Sequence, residues 1–146
     1  DSERHDAGME VRRAVLGDEH VDRAVARTTA FTEPFQDFIT RTAWGDVWQR
    51  DGLDRRARSM ITLASLTALG RENEIEMHVR GALRNGLTPD EIAEVLLHTA
   101  IYAGVPAANA AFVIAQRVIS AEQGAAADPV ADDEGRAIRA RPSPDS

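Results

Sequence analysis

Apolar residues recur along this chain at steps of three and four and almost never alternate, so its segments read as helices and strands find little support. Gly and Pro punctuate that pattern into about seven helices. The first spans Glu3 to Leu16, with Met9, Val11, Ala14 and Val15 apolar and Gly17 as its stop. The second runs from Glu19 to Thr29, and the third from Glu33 to Trp48 with Phe35, Phe38, Ile39, Ala43 and Val47. Pro34 falls in the first turn of that helix, where a missing N–H is harmless. Asp54 is placed to cap a fourth helix that ends at Leu69-Gly70, and a fifth covers Glu72 to Arg84 before Asn85-Gly86. Thr88-Pro89-Asp90-Glu91 carries a full start signal, with Thr as cap, Pro at the first position and Glu at the third. That sixth helix stops at Gly104, and Pro106 opens the seventh. Short connections imply antiparallel neighbours. The expected fold class is all-α, with one helical domain over residues 1–121 and a flexible polar tail over 122–146, where the periodicity fades.

Two absences limit the chemistry. The 146 residues include no cysteine, which removes disulfides, thiolate nucleophiles and zinc–thiolate sites. There is also no lysine, since all 17 positive residues are Arg. Imine chemistry and a lysine-anchored pyridoxal phosphate are therefore excluded within the chain. The formal net charge of -7 has the wrong sign for a nucleic-acid binder, and an anionic small molecule would need a local cluster of Arg. No apolar run approaches the roughly 18 residues of a membrane span, and Asp1-Ser2-Glu3-Arg4 lacks the apolar block of a secretory signal. The expectation is a cytoplasmic protein with neither nucleic acid nor membrane as partner.

On the fifth helix Arg71, Glu74 and His78 share one side, and His78 sits at the edge of the apolar stripe Ile75, Val79, Ala82 and Leu83. A carboxylate one turn from a partly buried imidazole is expected to raise its pKa and fix its tautomer, which makes a general acid. The same pair serves equally as a surface or core-edge hydrogen bond. No second His lies nearby in sequence, so a metal site is not expected. Arg55, Arg56 and Arg58 cluster at the start of the fourth helix, and Arg12-Arg13 lies in the first; either set can bind carboxylates or simply be a solvated face. Trp44 and Trp48 stand one turn apart as core residues, and His98 reads as a packed helix histidine.

Several strings, in order from about Asp6 to Ile119, together resemble the gamma-carboxymuconolactone decarboxylases. They are Ala7-Gly-Met-Glu-Val-Arg-Arg-Ala-Val-Leu-Gly17, Phe35-Gln-Asp-Phe-Ile-Thr-Arg-Thr-Ala-Trp-Gly45, Arg58-Ser-Met-Ile-Thr62, Glu74-Ile-Glu-Met-His78, Ala82-Leu-Arg-Asn-Gly86 and Ile101-Tyr-Ala-Gly-Val-Pro-Ala-Ala-Asn-Ala-Ala-Phe112. The resemblance implies an AhpD-like bundle of six to seven helices that forms a homo-oligomer, a trimer or hexamer. Redox relatives of that fold carry Cys-x-x-Cys-x-x-x-His; Arg71, Glu74 and His78 stand at the matching positions here, so peroxidase chemistry is rejected. The implied reaction is decarboxylation of 4-carboxymuconolactone to beta-ketoadipate enol-lactone, in the protocatechuate branch of aromatic breakdown, with no cofactor. It assigns protonation to His78 with Glu74 orienting it, and carboxylate or oxyanion contacts to Arg58 and Arg71. Arg12 and Arg13 become candidates for a second carboxylate, and Trp44 for the pocket wall. In some relatives the decarboxylase is fused behind an enol-lactone hydrolase, which would suit a chain with no initiator Met. A non-catalytic module assembling such a hydrolase, and a lyase or isomerase acting on a related lactone, are the alternatives.

Overall fold

The computed structural model describes residues 2–126. Its helices are α1 (Ser2–Leu16), α2 (Asp18–Arg27), α3 (Glu33–Ile39), continued by a π-helical segment (Thr40–Val47), then α4 (Arg55–Leu69), α5 (Glu72–Arg84), α6 (Pro89–Ala103) and α7 (Val105–Ala126). No strand occurs among the described residues. The helix ends form where short-range chemistry favours them. The Asp54 carboxylate accepts from the Ala57 N–H at 2.7 Å. Gly70 closes α4 in the left-handed region at φ 71°, a conformation that disfavours any side chain. The capping box of α6 is complete: Thr88 Oγ1 accepts from the Glu91 N–H at 3.1 Å, and the Glu91 carboxylate accepts from the Thr88 N–H at 2.9 Å.

Three boundaries differ from the sequence pattern. The second helix ends at Arg27, because Thr28 turns extended at ψ 130°. The seventh runs through Ala126, past the point where its apolar periodicity fades, while the rest of the expected tail, 127–146, lies outside the described residues. The third does not continue as α-helix to Trp48. From Thr40 the hydrogen bonds lengthen by one residue, as in the 2.9 Å bond from Trp48 N–H to the Ala43 carbonyl. Tertiary contact accompanies the change. A Cβ added at Gly8 of α1 would overlap the Thr40 carbonyl, and one added at Gly45 would come within 2.7 Å of the Arg4 carbonyl. The two backbones therefore touch without side chains between them, and an Arg4–Asp46 ion pair fastens the crossing at one end.

The apolar interior is divided in two. One core, including Leu63, Ile75, Val79, Ile92, Leu96 and Val118, joins α4 to α7. The other gathers Val11, Val15, Leu16, Val21 and Trp44 from α1, α2 and the π-helical segment. Helix α5 links them, since its Met77 packs against the second core while Ile75 and Val79 belong to the first. Much apolar surface stays uncovered on the chain. No residue of α3 is fully buried, Phe31 beside it is 94% exposed, and Ile101, Tyr102 and Val105 at the α6–α7 corner are 78%, 81% and 72% exposed. His98, expected to be packed, is exposed and leans on Tyr102 with ring centroids 5.2 Å apart. No helix among the described residues is long and apolar enough to cross a membrane.

Candidate functional site

His78, on α5, faces Trp44 of the second core and Trp48 packed against it. Its ring stacks on Trp44 at 6.1 Å and 11°, and on Trp48 at 6.4 Å and 23°. The two indoles are themselves 5.0 Å apart, so the imidazole faces an aromatic wall supplied wholly by the π-helical segment and the residue that caps it. Burial pushes the His78 pKa down to about 4; a positive charge on His20 pushes the same way, and Glu74 pulls weakly against both. Glu74 acts in the expected direction, but the burial of the ring outweighs it, so the expected net rise is corrected to a fall. Glu74 lies exposed in the first turn of α5, and no hydrogen bond joins it to His78 among the described residues. Its attraction is screened by water, whereas the desolvation of the ring is not.

Arg12 is the most unusual charge in the molecule. It is only 5% exposed, yet it forms no ion pair among the described residues. Its guanidinium donates to Thr40 Oγ1 at 3.2 Å and to Gln36 Oε1 at 3.0 Å, and its Nε finds no acceptor. Burial, followed by the charge of Arg13, lowers its pKa from the ordinary value. A buried cation held only by neutral groups is costly unless an anion arrives to complete it. Arg13, next in sequence, points elsewhere and already pairs with Asp18 at 3.2 Å and Asp22 at 2.8 Å.

The remaining candidates are spread out. Arg58, half-buried on α4, donates to the Arg50 carbonyl at 3.1 Å and keeps a buried Nε without an acceptor. It therefore braces the loop that lines a groove of about 570 Å³ beside Trp48, with Arg50 and Arg55 on its edge. Trp48 is common to this groove and to the ring stack on His78. Arg71 occupies the cap position of α5, exposed and with no side-chain bond or ion pair among the described residues. Arg56, from the same cluster as Arg58, is used structurally, bonding the Gly86 carbonyl and Glu91. The structure thus brings Trp44, Trp48 and His78 together, holds Arg12 apart on Thr40 and Gln36 and Arg58 on the Arg50 carbonyl, and leaves Arg71 and Glu74 exposed and Arg13 paired with aspartates. No group of three or more His, Asp or Glu side chains among the described residues is arranged to hold a metal ion.

Two residues of the site were not singled out for it by sequence reasoning. Trp48 passed as core, and only its one-turn spacing from Trp44 hinted at a shared face. His20 on α2 carried no local signal, because its neighbours there are an ordinary charged surface.

The model of the carboxymuconolactone decarboxylase family matches residues 33–117, which include Trp44, Trp48, Arg58 and His78. The chain belongs to this family. It is 50% identical over 118 residues to 4-carboxymuconolactone decarboxylase of Acinetobacter baylyi, covering 81% of this chain and 88% of that protein. It is 45% identical over 115 residues to nitrosuccinic acid decarboxylase npaB of Metarhizium robertsii, covering 79% of this chain and 80% of that protein. A 46-residue match to 4-carboxymuconolactone decarboxylase of Pseudomonas putida is 56% identical and spans 32% of this chain and 96% of that protein. The matched part of this decarboxylase-family chain carries the aromatic wall and His78, while Arg12 and His20 precede the stretch that the family model covers.

Proposed function

We infer that this chain is a carboxy-lyase that converts 4-carboxymuconolactone to beta-ketoadipate enol-lactone without a cofactor. The observation that carries the reading is the 50% identity to a 4-carboxymuconolactone decarboxylase across 88% of that protein. The departing carboxylate of this lactone is conjugated, through a C=C, to the ring carbonyl. When its C–C bond breaks, carbon dioxide leaves neutral and the electron pair spreads onto that carbonyl as a dienolate. A proton added at the ring carbon completes the reaction. The substrate is its own electron sink.

The protein must then hold a dianion, favour loss of its charge and supply one proton. Arg12 is the buried cation for a carboxylate, because Arg13 is already held by two aspartates. Trp44 and Trp48 keep water from the reacting face. His78 is neutral in the empty site, since its pKa is about 4. A dianion beside it raises its proton affinity, so His78 takes up a proton as substrate binds and delivers it to the dienolate. Glu74 supports the charged ring through its field. Arg58 serves the developing oxyanion from behind Trp48, and exposed Arg71 serves a substrate shared with a neighbouring copy. The uncovered Ile101, Tyr102 and Val105 support assembly into a homo-oligomer, a trimer or hexamer. The working place is the cytoplasm, and an enol-lactone hydrolase is a candidate partner or fusion.

A second reading follows from the 45% identity to a nitrosuccinic acid decarboxylase: a small dicarboxylate with a different electron-withdrawing group in place of the lactone. Turnover by the purified chain, with chelator present, tests both readings. Carbon dioxide release from the carboxylated lactone, falling by about 10²–10⁴-fold in His78→Ala, is expected. Release from nitrosuccinate alone would select the second reading. No release from either substrate by a folded oligomer would overturn both in favour of an assembly module.

A further inference from the structure

Helix α1 sends Arg12 toward α3 on the same side as Gly8, one turn earlier, where the backbones of α1 and Thr40 touch. The groups that receive its guanidinium there are both neutral and both held in orientation. Thr40 Oγ1 donates to the Gln36 carbonyl at 2.8 Å, which turns its lone pairs to Arg12 Nη1 at 3.2 Å. Gln36 Oε1 accepts from Arg12 Nη2 at 3.0 Å. The carboxylates nearest in sequence are used elsewhere or face solvent: Asp37 pairs with Arg41 at 2.8 Å, Asp18 and Asp22 pair with Arg13, and Glu33 is exposed. The chain has 24 acidic residues, yet this guanidinium, only 5% exposed, meets an amide of nearly the same shape as glutamate. An amide satisfies the donor and leaves the charge uncancelled, whereas a carboxylate would satisfy both.

We propose that Gln36 is a positioning residue that holds the Arg12 guanidinium in place without neutralising it, which keeps the full charge for a carboxylate of the substrate. The inference rests on the decarboxylase reading above, in which Arg12 binds a carboxylate. Gln36 acts through Arg12 and does not itself have to touch the substrate. Its oxygen and the Thr40 hydroxyl fix the plane of the guanidinium before the anion arrives, so less ordering remains to be done on binding. The buried Nε, without an acceptor, stays open to that anion. The enclosure is thin on the α3 side, since Gln36 is only half-buried and no residue of that helix is fully buried. A Glu at position 36 would place a resident anion on the guanidinium, in competition with the substrate. That competition weakens ground state and transition state alike, so it acts on KM and leaves kcat nearly unchanged.

The test is steady-state turnover of 4-carboxymuconolactone, beside thermal unfolding, by the full chain as wild type, Gln36→Glu and Gln36→Met. In Gln36→Glu the melting temperature should stay level or rise, because the buried cation gains a partner. Its KM should rise about ten- to hundredfold, with kcat within about threefold of wild type. Gln36→Met keeps the length and the neutrality but loses the acceptor, so it should lower the melting temperature and raise KM by less than Gln36→Glu does. Stability and affinity then move in opposite directions in the Glu variant, which a merely structural role for Gln36 does not produce. An unchanged KM in Gln36→Glu would overturn the assignment and leave the decarboxylase reading intact. So would a fall in its melting temperature, a loss confined to kcat, or a rise in KM for Gln36→Met as large as for Gln36→Glu. An inactive wild type would instead remove the decarboxylase reading, and this assignment with it.

Discussion

The burial of His78 against two indoles makes acid stability a direct probe of the site. The perturbation is His78→Gln, which keeps a polar side chain but cannot titrate. A free histidine titrates near 6.5, and the folded protein holds His78 at about 4. Folded chains therefore bind fewer protons at this group than unfolded ones between those two values. Its contribution to stability is complete above pH 6.5 and is lost as the pH falls through that window toward 4. At pH 4.5 the difference amounts to about 2–3 kcal/mol, most of what the full shift represents. Ring centroids at 6.1 and 6.4 Å lie at the outer edge of cation–π attraction, so the indoles return little of that cost when the imidazole gains charge. His20, whose pKa is also lowered, loses stability in the same direction, and at still lower pH so do Asp46 and Glu91, whose carboxyls Arg4 and Thr88 hold down. These groups remain in the variant, so the comparison cancels them to first order. Urea unfolding at pH 7 and pH 4.5, at one fixed protomer concentration, measures the difference. Wild type should lose about 2–3 kcal/mol more than His78→Gln between the two pH values. Equal losses would show that His78 titrates normally, and the argument from burial would be refuted.

Two further outcomes are expected. Gly8→Ala forces a methyl group into the Thr40 carbonyl, so it should destabilise the fold by about 1–3 kcal/mol and weaken the near-ultraviolet dichroism of the Trp44–Trp48 pair. Unfolding midpoints and spectra of the variant check this, and wild-type values would refute the close crossing. Arg12→Met removes a buried, unpaired cation, so it should leave the melting temperature equal or higher while raising the lactone KM at least about tenfold. Scanning calorimetry beside turnover tests the pairing of these effects; a large fall in melting temperature would mean that Arg12 is structural.

Helix ends were legible wherever the signal is carried by adjacent residues. Asp54 with Gly70, and Thr88 with Glu91, bound α4 and start α6 through contacts three or four residues long. The π-helical turn was not legible, because it accompanies a contact between Gly8 and Thr40, far apart in sequence. The same distinction explains the site. His78 was singled out from its place at the edge of the α5 stripe, yet the net direction of its pKa was misjudged. Its intrahelical neighbour Glu74 could be read from the sequence, while the tryptophans that desolvate it come from another element. Arg12 and Arg13 look alike as letters, and only the fold separates a buried cation from one clasped by two aspartates.

The division of the interior into two cores has a kinetic corollary. Trp44 belongs to one half, Ile75 and Val79 of α5 to the other, and α5, which carries His78, is their principal join. Small relative rocking of the halves can shift α1 against α5, and so Arg12 against His78, without breaking either interior. Gating of this kind is inexpensive and fast compared with unfolding. A bound dianion bridging Arg12 and His78 would act as a clasp between the two helices. Amide hydrogens flanking the junction, in α2 and the first turns of α5, should then exchange more slowly in the occupied enzyme than in the empty one, while those deep in α6 and α7 keep their rates.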